Sequence, residues 1–210
     1  MQDINSIIFT HITDFPTHVN FSFVSKSTYA ANHQYICTIP KSICFKLLAD
    51  NTFNKIVSQF SRLGLLDLSD TLVTDISYLK YINCHTLDLH STNIADVSYL
   101  KYINCHTLQL QSTIIADVSY LKYINCHTLQ LHSTNIADVS ALGNCHTVCL
   151  NNTEVTDVSA LGNCHTVFLN NTEVTDVSAL GNCHTVFLNN TEVADASEQK
   201  LINSGVIVVR

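Results

Sequence analysis
The chain has 210 residues, of which 46% are apolar, so a disordered tail is excluded and one elongated domain or two small ones are allowed. The formal net charge of -7 is unevenly placed, and between Lys122 and Lys200 there is no Lys or Arg; without cations to neutralise phosphates, nucleic acid is not an expected partner. No apolar run approaches the roughly 20 residues of a membrane span, and the start Met1-Gln2-Asp3, with its first Lys at Lys26, lacks the basic opening of a secretory leader, so a monomeric, cytoplasmic protein away from membranes is expected.

Residues 1–62 read as a small helical unit. Asp3 and Asn5 suit a helix N-terminus, and Ile4, Ile7, Ile8, Ile12 and Phe15 then fall on one face until Pro16 ends it. An apolar patch of Val19, Phe21, Phe23 and Val24 leads into Ser25-Lys26-Ser27-Thr28-Tyr29. Helical patterning returns through Ile43, Phe45, Leu47 and Leu48, and again through Phe53, Ile56, Val57 and Phe60. The order of amphipathic helix, Pro-containing turn and apolar run into Val24-Ser25-Lys26 resembles an F-box. That resemblance implies docking to a Skp1-type adaptor of a ubiquitin ligase through Ile7, Ile8, Ile12, Phe15, Phe21 and Val24. The family's opening Leu-Pro is missing, so the same segment also reads simply as a helical cap.

From Leu63 onward the chain repeats. Cys-His-Thr recurs with its Cys at Cys84, Cys105, Cys126, Cys145, Cys164 and Cys183, at spacings of 21, 21, 19, 19 and 19 residues. A degenerate first copy places Leu63, Leu66, Leu68, Thr71 and Val73 at the offsets of Cys84, Leu87, Leu89, Thr92 and Ile94. Seven repeats therefore start near 63, 84, 105, 126, 145, 164 and 183 and fill residues 63–210, with a closing strand over 205–209. These offsets match the signature of leucine-rich repeats, with Cys for the first Leu and Thr for the usual Asn. The phrases Thr74-Asp75-Ile76-Ser77-Tyr78-Leu79 and Thr156-Asp157-Val158-Ser159-Ala160-Leu161 resemble the short repeats of internalin-like and phosphatase-regulator-like proteins. The Asn-Cys-His-Thr variant also looks like repeat arrays of giant viruses that infect amoebae, which would place the protein in the host cytoplasm. The fold implied is an α/β solenoid, a right-handed coil with a parallel sheet on its concave side. Repeats this short leave only 3₁₀ turns or loops for the convex side. One solenoid serves many partners, so fold says little about function.

Most of the repeated polar residues read as structural. Each Cys occupies a core position where a reduced thiol acts as a small apolar group, and stacked repeats place like side chains in columns rather than in a closed zinc site. The column Asp75, Asp96, Asp117, Asp138, Asp157, Asp176 and Asp195 reads as caps on turns that start at the following Val or Ile. The Thr column from Thr71 to Thr191 should satisfy loop backbone groups. The histidines His85, His106, His127, His146, His165 and His184 should charge and repel one another near pH 6. No metal or cofactor is expected, and no nucleophile, base and oxyanion set stands apart from the repeats, so an enzyme is not expected.

Recognition is sought where copies differ. The copies starting at Cys145 and Cys164 differ only at Cys149 versus Phe168, on the strand position that faces outward between two buried residues. That position runs Asp67, Asp88, Gln109, Gln130, Cys149, Phe168, Phe187. Beside it run Ser69, His90, Gln111, His132, Asn151, Asn170 and Asn189. The expected partner is another protein, held on the concave face by Asp67, Asp88, His90, Gln109, Gln130, His132, Phe168 and Phe187, because exposed aromatics are frequent binding anchors. A structural repeat protein with no specific partner is the remaining alternative.

Overall fold
A computed structural model describes Thr38–Ile39 and residues 63–210, apart from 81 and 125. The N-terminal helices and the F-box-like surface of Ile7, Ile8, Ile12, Phe15, Phe21 and Val24 lie outside the described residues.

Leucine-rich repeats too short for an outer helix must alternate one strand with one tight turn. The strands β1 (Thr38–Ile39), β2 (Leu63–Asp67), β3 (Cys84–Asp88), β4 (Thr107–Gln109), β5 (Thr128–Gln130), β6 (Thr147–Cys149), β7 (Thr166–Phe168), β8 (Thr185–Phe187) and β9 (Ile207–Val209) form one parallel sheet in chain order. The register joins like with like: Leu66, Leu87, Leu108, Leu129, Val148, Val167, Val186 and Val208 align down one column. On the opposite side are short 3₁₀ turns at Ser77–Leu79, Ser98–Tyr102, Ser119–Tyr123, Ser159–Leu161 and Ser178–Leu180. The core lies between sheet and turns. It is built from columns such as Leu68 to Leu188, Ile94 to Val193 and Leu79 to Leu180, together with the six cysteines, all buried. This is the leucine-rich-repeat solenoid that the spacing predicts.

Three polar devices close each coil. One residue per repeat takes a left-handed backbone: Asp70, Ser91, Ser112, Ser133, Asn152, Asn171 and Asn190, at φ of 51–57°. Asn tolerates this region best among residues with side chains. The chain then turns, and the Leu carbonyl two residues before that point has no neighbour in the sheet. The buried Thr hydroxyl answers it: Thr153 Oγ1 donates to the Leu150 carbonyl at 2.6 Å, and the other copies do the same at 2.6–2.8 Å. Thr153→Val keeps the shape but strands that carbonyl, so unfolding in urea should show a loss of about 1–3 kcal/mol.

The third device is the Asp column, and here the reading is corrected by one residue. Asp157 Oδ1 accepts the Ser159 N–H at 2.8 Å, as do its counterparts from Asp75 to Asp176, so the turns begin at Ser. The intervening Val or Ile is buried, and its core packing carries the chain into the turn. The bonded carboxyls of Asp117, Asp138 and Asp157 are held below the ordinary range, first by the Ser backbone N–H.

In the seventh repeat the turn is replaced by a helix, α1 (Asp195–Asn203). Asp195 is its first residue, so that copy of the Asp column does not cap as the others do. Ala196, Glu198, Gln199, Lys200 and Leu201 are good helix formers, and Ser197 and Leu201 are buried. Ser197 Oγ joins α1 to the repeat before it, donating to Asp176 Oδ1 and accepting the Val177 N–H, both at 2.8 Å. The helix stops at Gly205, whose φ of +85° suits a left-handed cap. There the Gly205 N–H donates to the Ile202 carbonyl and the Val206 N–H to the Leu201 carbonyl. The chain then enters β9, the closing strand. Among the described residues no helix is long and apolar enough to cross a membrane.

Candidate functional site
Strand alternation sends every second side chain to the concave face, and the register stacks them in two columns. The first runs Asp67, Asp88, Gln109, Gln130, Cys149, Phe168, Phe187, Val209. The second, two residues further along each repeat, runs from Ser69 through His90, Gln111, His132, Asn151 and Asn170 to Asn189. Asp67, Asp88, His90, Gln109, Gln130, His132, Phe168 and Phe187 are all partly exposed. Cys149 is not: it is only 6% exposed, against the outward placement expected from alternation. The short side chain sits under larger neighbours, with His132 Nδ1 at 3.8 Å from its Sγ and Asn151 Nδ2 donating to it at 3.4 Å.

The face changes character along its length. At one end the Asp88 carboxylate takes up His90, with Nδ1 at 2.8 Å and the His90 backbone N–H at 3.1 Å, while His90 Nε2 lies 3.6 Å from Asp70. At the other end Phe168 and Phe187 stack at 4.3 Å between centroids, with an interplanar angle of 10°. Beside them an amide ladder fixes the second column: Asn151 Oδ1 accepts the Asn170 N–H, and Asn170 Oδ1 accepts the Asn189 N–H, both at 2.8 Å. The aromatic pair therefore lies beside a hydrogen-bonded amide ladder. Buried among these groups, Gln111 Oε1 has no hydrogen-bond partner.

The chemistry on this face is that of contact. Burial pushes the Cys149 thiol up and holds the His132 imidazole below its ordinary range, with the charge of His90 as a second cause. Both groups are thus favoured neutral, the reverse of an activated thiolate and imidazolium. The six cysteines of the repeat are buried, and burial is the first cause that raises the thiols of Cys84, Cys145 and Cys164 to about 12. Their partner histidines are exposed, so each Cys and its His diverge. Among the described residues no three His, Cys, Asp or Glu are placed to hold one metal ion.

The exposed histidines stack in one continuous column on the flank of the sheet. Partial desolvation, and then the neighbouring rings, lower the affinity of His106 and His146 for protons. A group whose folded pKa is depressed binds more protons when unfolded, so stability is complete above about pH 6.5 and falls as the pH drops through that value. The melting temperature should be lower at about pH 5.5 than at about pH 7.5. His106→Gln with His146→Gln should shrink that difference, and an unchanged difference would count against the column as its source.

A surface that the sequence reading missed lies on the turn side, where Tyr-Leu-Lys-Tyr is repeated. Lys101 Nζ lies 5.0 Å from the Tyr102 ring and 5.1 Å from that of Tyr120, and Tyr99, Tyr102, Tyr120 and Tyr123 are exposed. The signal was the run YLKY in three successive copies.

No family model and no curated protein sequence matches the chain. Among solved structures, internalin C2 of Listeria monocytogenes is similar at 22% identity, covering 75% of this chain and 83% of its own, with a TM-score of 0.55. An internalin (inlF) of the same organism is similar at 19% identity over 76% of this chain, with a TM-score of 0.52; the match spans 58% of the internalin. At this identity the likeness is one of fold.

Proposed function
We propose that the chain is a protein-interaction scaffold that holds a partner protein on its concave face, with Phe168 and Phe187 as the anchor. The observation that carries this reading is the stacked, partly exposed Phe pair beside an amide ladder. Rigid aromatic side chains supply contact area at low entropic cost, and such residues dominate binding energies at interfaces. The likeness to internalin solenoids supports the same use of the fold. Asp67, Asp88, His90, Gln109, Gln130 and His132 would set orientation along the face rather than affinity.

In this reading residues 63–210 form the binding solenoid and residues 1–62 close its first end. The F-box-like order of residues 1–62 adds a second role, recruitment of a Skp1-type adaptor; a pull-down from the native cell that contains no such protein rejects it. The main proposal is tested with Phe168→Asp plus Phe187→Asp. The double variant should keep its circular dichroism and melting temperature but lose partner affinity by about 2 kcal/mol or more. A folded double variant that retains every partner rejects anchoring on the Phe pair.

A further inference from the structure
The six histidines of the Cys-His-Thr phrase take no part in the concave-face contact, yet they form a long ordered array. His85, His106, His127, His146, His165 and His184 are exposed, and successive rings stack with centroids 4.2–4.6 Å apart and interplanar angles of 8–24°. Two sets of bonds hold the rings in place. Along the backbone, each His N–H from His106 to His184 donates to the His carbonyl of the preceding repeat at 2.8–3.1 Å. At the side chain, Nδ1 lies 2.8–3.3 Å from the following Thr Oγ1 in five of the six copies. The distal Nε2 edges are left in a row along the flank.

Among the described residues, no counter-charge is shown beside this row. Among the described residues, the charges that act on His106 are those of His127 and His85, and those that act on His146 are those of His127 and His165, with no carboxylate among them. Behind the rings the cysteines are buried, and burial raises the thiols of Cys84 and Cys145, which favours their neutral form. Alongside run uncharged threonines, and Asn83, Asn104, Asn144, Asn163 and Asn182 precede the cysteines. Asp88 on the concave face is taken up by His90, and the Asp column from Asp75 to Asp176 is bonded at the turns. When the column takes up protons, positive charge accumulates in a line that no carboxylate bonded among the described residues is shown to balance.

We propose that the histidine column is an acid-gated binding site for linear polyphosphate, a flexible chain of closely spaced oxyanions. The ring faces are occupied by neighbouring rings, so the column presents N–H edges and offers no stacking platform for nucleobases. Nearly parallel rings do not converge on one point, which disfavours a shared metal ion. Protonated, a ring donates through both nitrogens, in five of the six copies Nδ1 to its Thr, leaving Nε2 for an oxyanion. Above neutral pH an imidazole is ordinarily uncharged, and the net charge of -7 repels a polyanion, so the site is off.

The test uses the full chain and long-chain inorganic polyphosphate. Binding should be roughly tenfold tighter or more at about pH 5.5 than at about pH 7.5, and should weaken steeply with salt. His127→Gln plus His146→Gln, checked for an unchanged melting temperature at the higher pH, should remove most of that gain. In the unmodified protein, the imidazole resonances of the column should shift on adding polyphosphate at the lower pH, whereas those of His90 and His132 should not. Equal binding at the two pH values, shifts confined to His90 and His132, or tighter binding of a single-stranded nucleic acid of matched charge would each overturn the proposal.

Discussion
Leu150→Ala should lower stability by about 2–5 kcal/mol, because the site is fully buried and cannot collapse. Leu150 belongs to the column that follows each strand, between Leu131 and Leu169. Its own backbone N–H donates to the Phe168 carbonyl at 2.9 Å, and the Leu131 N–H donates to the Cys149 carbonyl at the same distance. The backbone on both sides is pinned to its neighbours, so the cavity persists. In a solenoid each repeat is stabilised by the two repeats that touch it, and damage at a central one weakens two interfaces. A loss of this size is a large part of the 5–15 kcal/mol that typical domains possess. Leu72→Ala is the control. Leu72 is 86% exposed, and its truncation should stay within about 0.5 kcal/mol in the same urea titration.

Gly162→Ala should also destabilise, by about 1–3 kcal/mol, for a reason unrelated to glycine's conformational freedom. Gly162 has φ of -60°, which any residue adopts. A Cβ there would meet the Ala179 carbonyl oxygen of the next repeat at 2.6 Å, and one at Gly143 would meet the Ala160 oxygen at 2.4 Å. Those oxygens are backbone, so a whole turn would have to move. Gly181 stands in the same Ala-Leu-Gly-Asn phrase but faces Ser204 after α1, with the nearest atom at 3.5 Å, an ordinary contact. Gly181→Ala should therefore be neutral or slightly stabilising, by up to about 1 kcal/mol. Equal effects at Gly162 and Gly181 would show that turn-to-turn contact is not what selects glycine.

These glycines mark where sequence reading ran out. Period, strand register, inward cysteines and the two concave columns were legible because each depends on spacing alone, and one repeat predicts the next. Close approach between turns was not legible, since the phrases around Gly162 and Gly181 are identical and only their neighbours in space differ. Cys149 was misplaced for a related reason. Alternation correctly points it to the concave face, but exposure depends on the bulk of His132 and Asn151 around it. The helix α1 departs from the repeat through Ser197, whose bonds to Asp176 and Val177 appear only once the chain is coiled. Its helix formers, Ala196 to Leu201, were visible and were absorbed into the repeat count.

The Asp column carries a separate acid limit. Asp176 is lowered to about 2, first by the Ser178 N–H and then by hydroxyls of Ser178 and Ser197. Its contribution is complete above the ordinary Asp value of about 3.9 and fades as pH falls toward about 2. The depressed imidazoles of His106 and His146 act earlier, as pH drops through about 6.5, so the two sources of acid sensitivity fall in different windows.

The central claim is that the repeated residues build the solenoid while the concave positions where copies differ do the recognising. Partner affinity and melting temperature, measured together on two double variants, test it most directly. Phe168→Asp with Phe187→Asp should lower partner affinity by about 2 kcal/mol or more and leave the melting temperature nearly unchanged. Thr153→Val with Thr172→Val should lower the melting temperature and, in the fraction still folded, keep the partner. The opposite pattern, with the partner retained on the Phe variant and lost from folded Thr variant, would contradict the account.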